Sequence, residues 1–263
     1  MIQDPPEPTG IDAYKPIEIA ERIEQAGVSK TRLTVTQLLT LSVLAGTFIA
    51  LGAAFYTVTM TGVDSTSGPA RLLGGAAFSL GLVLVVVAGA ELFTGNVLMV
   101  MAWVDRRIPI VAMLRAWGIV YLGNFAGALG LALLVWASGT LTGEHGLLAA
   151  KIATAKTILP LDQAFVRGVL CNALVCLAVW LTFAARSVAG KILAILWPIT
   201  AFVALGFEHS VANMYLIPVG MLAGAEIGVA DFLESLIAVT LGNLLGGAGG
   251  VALTYWLAYG RRN

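Results

Sequence analysis

Gly89-Ala90-Glu91-Leu92-Phe93-Thr94-Gly95-Asn96 recurs 117 residues later as Gly206-Phe207-Glu208-His209-Ser210-Val211-Ala212-Asn213. Both stretches read Gly-x-Glu-x4-Asn, and both sit inside long apolar runs. A carboxylate in the middle of a membrane-length segment is costly, so two at matching places mark a pathway through a bilayer. A second duplication supports the first. Leu122-Gly123-Asn124-x2-Gly127-x2-Gly130 matches Leu241-Gly242-Asn243-x2-Gly246-x2-Gly249 at an offset of 119 residues. The chain reads as a membrane channel or transporter made of two related halves.

Composition agrees. Of 263 residues 59% are hydrophobic and only 11% charged, and the mean hydropathy is +0.90. These values lie outside the soluble globular range. Formal net charge is zero, which gives nucleic acid no electrostatic footprint. Met1 to Thr31 shows no short apolar core with a cleavage site, so no secretory signal is expected. Cys171 and Cys176 read as packing residues, and no metal or other cofactor is expected.

Charges delimit the spans. Residues 34–63, 116–143 and 235–260 carry no Asp, Glu, Lys or Arg, and 168–185 form a slightly shorter run. The remaining two runs, 72–104 and 192–225, are interrupted at Glu91 and at Glu208-His209. The expectation is an all-α polytopic protein with six transmembrane helices, the second and fifth broken. Spans 1–3 repeat as spans 4–6, about 34–138 and 164–260, and an odd number of spans per repeat forces the copies to be inverted. Residues 1–33 form an amino-terminal segment, 34–260 the membrane domain and 261–263 the carboxy-terminus. Eleven basic residues, Arg261 and Arg262 among them, fall on the side of both ends; Arg71, Lys151, Lys156 and Arg167 fall on the other. By the positive-inside rule both termini are cytoplasmic.

The polar residues in the spans are the site candidates. Glu91 and Glu208 suit capping of backbone freed where their helices break. Asn124 and Asn243, among small residues, read either as pore-lining amides or as interhelical hydrogen-bonding groups. His209 stands at a break, beside a carboxylate, and exchanges protons near neutral pH. Thr94 offers a hydroxyl at nearly the equivalent break. Phe78, Leu82, Leu92, Phe93 and Phe202 are candidates to narrow a path on either side, stopping hydrated ions. Pro16 to Gly27 alternates apolar and charged faces, with proline near the start and glycine at the end, which predicts a helix.

Residues 89–96, Asn172-Ala-Leu-Val-Cys-Leu-Ala-Val-Trp180 and Gly206-Phe-Glu-His-Ser-Val-Ala-Asn-Met-Tyr-Leu-Ile-Pro218 resemble the formate/nitrite transporter family over nearly the whole chain. Its bacterial formate channels are the branch it is most similar to. The resemblance implies an aquaporin-like protomer in the inner membrane, assembled as a homopentamer with one pore per subunit. It implies His209 as the central pore histidine, with Thr94, Asn172 and Glu208 beside it. Phe78 and Phe202 with Val175 then form the outer constriction, and Leu82, Leu92 and Phe93 the inner one. Lys156 draws in anions, and Asn243 lines the pore. Glu91, Asn96, Asn213 and Asn124 complete the polar set. The amino-terminal helix would lie under the cytoplasmic mouth, where it can gate. The implied function is passage of small weak-acid anions, formate first, with nitrite, hydrosulfide, acetate or lactate as further substrates. A tightly proton-coupled transporter is the alternative mechanism. No enzyme chemistry is expected.

Overall fold

The structure, a computed structural model, describes residues 12–260, and helices are the regular secondary structure of that range. Arg261, Arg262 and the first eleven residues lie outside the described residues. The helices are α1 (Pro16–Thr31), α2 (Val35–Met60), α3 (Gly68–Phe78), α4 (Leu80–Ala88), α5 (Phe93–Asn96), α6 (Val100–Val104) and α7 (Ile110–Ala137). They continue as α8 (Gly143–Thr157), α9 (Leu161–Ala184), α10 (Val188–Ala204), α11 (Ser210–Leu222), α12 (Val229–Leu245) and α13 (Thr254–Tyr259). Five helical stretches are long and apolar enough to cross a membrane: Val35–Met60, Gly68–Ala88, Ile110–Ala137, Leu161–Ala184 and Val229–Tyr259. Between α12 and α13 the last of these widens into a π-helical segment, Gly246–Leu253, where four glycines leave the backbone free to rewind. Two shorter apolar helices, α10 and α11, meet end to end around Glu208.

Small residues decide which helices touch. A Cβ at Gly127 would overlap the Val43 carbonyl of α2, and one at Gly246 would overlap the Val169 carbonyl of α9. These glycines bring α7 against α2, and the last span against α9, at backbone contact. Such close approach is how helices associate where lipid removes the hydrophobic drive. Phe125 and Phe232 stack across the middle, their ring centroids 6.3 Å apart.

Both breaks fall where the carboxylates predict them. The helix before each ends in a left-handed glycine, Gly89 at φ 82° and Gly206 at φ 72°. A short non-helical stretch follows, and a new helix then starts at Phe93 or Ser210. α1 forms as expected, running four residues beyond Gly27. It packs on α6, on α9 and on α13 at one face of the molecule, called the near face below. At the far face α8 is a helix the sequence reading passed over as loop. Its dipole is matched by Glu144 in the first turn and Lys156 in the last.

A methyl group at a left-handed residue costs about 1–2 kcal/mol. Gly89→Ala and Gly206→Ala should therefore each lower the melting temperature of the purified protein by about 3–6 °C. Gly118→Ala, inside α7 with nothing within 4 Å of the added carbon, should instead raise it slightly, because alanine is favoured over glycine in a helix interior by about 0.5–1 kcal/mol.

Candidate functional site

Unwinding a helix inside an apolar protein strands backbone donors and acceptors. Two asparagines meet them. Asn124 Oδ1 accepts from the Phe93 amide at 2.8 Å, while its Nδ2 donates to the Glu91 carbonyl at 2.9 Å and the Ser42 carbonyl at 2.8 Å. Asn243 repeats the set, accepting from Ser210 N at 2.8 Å and donating to Glu208 O at 2.9 Å and Gly168 O at 2.8 Å. Both side chains are fully buried, and neither is in the lining of the two cavities described below. The amides, rather than the carboxylates, hold the breaks together.

The carboxylates face other partners. Glu91 is gripped by Lys30 Nζ at 2.6 and 2.7 Å and by Asn96 Nδ2 at 2.7 Å. Glu208 is gripped by Lys156 Nζ at 2.8 and 3.0 Å and by Asn213 Nδ2 at 2.8 Å. Each ring of lysine, glutamate and asparagine neutralises its charge locally, as a low-dielectric setting requires. Lys30 escaped the sequence reading. The structure supplies the match: Lys30 and Lys156 are 126 residues apart, the separation of Leu41 and Arg167, whose carbonyls accept from Glu91 N and Glu208 N. Both lysines also stand near the carboxyl end of a helix that precedes a long span.

His209 lies between the rings. Its Nδ1 accepts from the Ala212 amide at 3.1 Å, capping α11, and its Nε2 is 3.0 Å from Thr94 Oγ1. Accepting at Nδ1 assigns the ring proton of the neutral imidazole to Nε2, which donates to the threonine oxygen. An imidazolium would aim Nδ1–H at the Ala212 N–H. Asn172 Nδ2 donates to Thr94 O at 3.2 Å and to Asn243 O at 2.7 Å, tying the first break to the helix that braces the second. Its Oδ1 is buried without a partner. The position related to His209 by the 117-residue offset is Leu92, two residues before Thr94.

Two cavities approach this centre. The near one, of about 380 Å³, is lined by Lys30, Glu91, Arg22 and Lys191 and reaches Leu82 and Leu92. The far one, of about 100 Å³, is lined by Lys156, Glu208 and Tyr56 and reaches Phe78, Phe202 and His209. One helical turn, Phe78 to Leu82, separates the two linings. Phe202 meets Phe78 edge to face at 5.6 Å and stacks on His209 at 5.9 Å. Phe93 turns instead to Tyr121, at 4.9 Å, and Trp117, at 6.2 Å. Val175 is buried on α9 and lines neither cavity.

α1 is fastened beside the near cavity at two further points. Glu24, buried, meets Arg107 at 3.1 Å. The Tyr14 ring lies between the guanidinium carbons of Arg22, at 4.0 Å, and Arg186, at 4.1 Å.

Comparison with known proteins places this geometry. The sequence model of the formate/nitrite transporter family matches residues 17–257. The formate channel FocA of Escherichia coli K12 is 38% identical over 275 aligned positions, covering 96% of each chain. A solved ion channel of the same family superimposes with a TM-score of 0.86 at 32% identity, over 92% of this chain and 98% of its own. A solved pentameric formate channel with formate bound superimposes at 0.77 and 36% identity, over 86% and 98%.

Removing either bracing amide strands a buried donor and at least one acceptor, at about 1–3 kcal/mol each. Asn124→Leu and Asn243→Leu should each give a sharply lower yield of folded protein in detergent, measured by size-exclusion chromatography. Gln163→Leu, which removes an exposed amide on α9, should not.

Proposed function

Because the chain belongs to the formate/nitrite transporter family, we propose that it is a membrane channel for small monovalent weak-acid anions, with formate the principal substrate. Nitrite and hydrosulfide share the charge and size of formate and are the next candidates. The protomers assemble as a homopentamer, on the likeness to the pentameric formate channel. The near face is cytoplasmic, on the basic-residue count. The two inverted halves, about 34–138 and 164–260, each supply one break to the path.

One observation carries the reading: two cavities, each lined in part by a lysine–glutamate pair, stop on opposite sides of an apolar turn at which His209 and Thr94 meet. Leu82 and Leu92 close the near side, and Phe78 and Phe202 the far side. A bare anion entering such walls loses most of its hydration, whereas the neutral acid loses little. Desolvation raises the proton affinity of formate as it enters, so the species that crosses is formic acid. Neutral His209 cannot release its Nε2 proton without becoming an imidazolate. The proton is therefore drawn from the bulk through the entry cavity, as hydronium that returns to water on giving it up, and His209 with Thr94 acts as the hydrogen-bonding station that the neutral acid meets midway. Asn172 holds Thr94 in place from behind.

The test is formate entry into proteoliposomes, followed from pH 7 to pH 5. Entry should accelerate as pH falls, because the fraction of neutral acid rises. His209→Leu should cut the rate at least tenfold at every pH while the protein still elutes as an oligomer. Wild-type vesicles that pass no formate at any pH, or an entry rate that does not respond to pH, would overturn the reading.

A further inference from the structure

Much of the scaffold at the two breaks is duplicated, but the support of the Thr94 carbonyl is not. Asn172 Nδ2 donates to that oxygen at 3.2 Å, and Cys176 Sγ, one turn further along α9, donates to it at 3.4 Å. Both side chains are fully buried. Thr94 lies in the four-residue α5, which runs straight into a 3-10 turn, Val97–Met99. So short a helix does not hold itself by its own hydrogen bonds. The Asn172 amide is moreover shared, since it also donates to Asn243 O at 2.7 Å. In the other half Val211 corresponds to Thr94 at the 117-residue offset. Among the described residues no side chain donates to the Val211 carbonyl.

The helices that could supply such donors correspond closely. α2 and α9 start 126 residues apart, at Val35 and Leu161. At that offset Ser42 matches Gly168, and their carbonyls accept from Asn124 and Asn243. Gly46 matches Asn172: a Cβ at Gly46 would overlap the Asn124 carbonyl, as Asn172 meets that of Asn243. Ala50, fully buried, matches Cys176. Room for the larger pair comes from the last span. A Cβ at Gly247, in the π-helical segment, would lie 2.6 Å from Asn172 Nδ2 and 2.9 Å from Cys176 Sγ. The match to Gly247 at the 119-residue offset is Ala128, fully buried with its methyl group. A clamp needed only for architecture would be repeated, as Asn124 and Asn243 are. This one stands only in the half whose break offers a hydroxyl to His209.

We propose that Cys176 is a positioning residue: with Asn172 it pins the Thr94 carbonyl, and so holds the Thr94 hydroxyl against His209, in space that Gly247 leaves open. This rests on the channel reading above, in which Thr94 and His209 receive the neutral acid. A thiol is a weak donor, so its contribution is modest.

Infrared and transport measurements on the full-length protein give the test. Donating to a carbonyl weakens the S–H bond and lowers its stretching frequency. Cys171→Ala leaves Cys176 as the only thiol, and Cys176→Ala leaves Cys171, which makes no hydrogen bond among the described residues. The first protein should therefore absorb at lower frequency than the second. In proteoliposomes Cys176→Ala should slow formate entry about threefold while the protein still elutes as the wild-type oligomer. Cys171→Ala should leave the rate unchanged. Cys176→Ser, which keeps a donor there, should recover most of it, and Gly247→Ala, which presses on both donors, should slow entry at least as much as Cys176→Ala. Thr94→Val should slow entry on its own, and adding Cys176→Ala to it should slow entry no further. A Cys176 stretch no lower than that of Cys171, an unchanged rate in Cys176→Ala, or a further threefold loss on top of Thr94→Val would overturn the assignment. Wild type that carries no formate would instead overturn the channel reading, and the infrared comparison would still test the bond.

Discussion

A helix interrupted in the middle of an apolar protein exposes peptide groups that no water can satisfy, and the rest of this structure follows from how that demand is met. One asparagine per break takes three backbone partners, three of the four hydrogen bonds that a side-chain amide can make. It can do so only if its own helix comes within hydrogen-bonding reach of the break and of the first helix of the same half. The glycines flanking Asn124 and Asn243 provide that approach, Gly127 and Gly246 making the tightest contacts to backbone. Glycine and asparagine thus act as one device in each half, the first setting distance and the second closing the hydrogen bonds.

With the backbone satisfied, the carboxylates are free to face the cavities. There they need cations, which come from α1 and α8, helices too polar to be membrane spans. Lys30 couples the docking of α1 to the charge of Glu91: withdraw the helix and a carboxylate with 10% of its side chain exposed loses its counter-ion. Removing one partner of such a buried pair costs about 3–5 kcal/mol. Arg107 and the Arg22–Tyr14–Arg186 stack hold the same helix at two other points, so its position is fixed by charge at three places and by apolar packing of Ile19 and Ile23 between them.

Much of this was legible in the chain because the constraint is local. Gly-x-Glu-x4-Asn contains the left-handed glycine, the carboxylate and the asparagine that grips it, all within eight residues, and it appears twice. Leu-Gly-Asn-x2-Gly is equally compact. What the sequence obscured depends on partners far apart in the chain. The 126-, 117- and 119-residue spacings differ because short insertions separate the elements of each half, so no single offset aligns both Lys30 with Lys156 and Glu91 with Glu208. α8 was hidden by its modest hydropathy between two long apolar runs. The side to which Phe93 turns is a rotamer and packing matter that periodicity does not encode.

The mismatch at the two breaks has an architectural consequence. Where one half has His209 the other has Leu92, and the amide of Asn172 has no counterpart at Gly46, the residue 126 positions earlier. An assembly of two identical halves would be bound by its symmetry axis to present the same side chain from both sides of the centre: two imidazoles competing for one hydrogen-bonding site, or two leucines sealing it. Joining the halves in one chain lifts that restriction. The two cavities keep matched scaffolding, while the meeting point is released to become lopsided, with a polar ring on one flank and an aliphatic wall on the other.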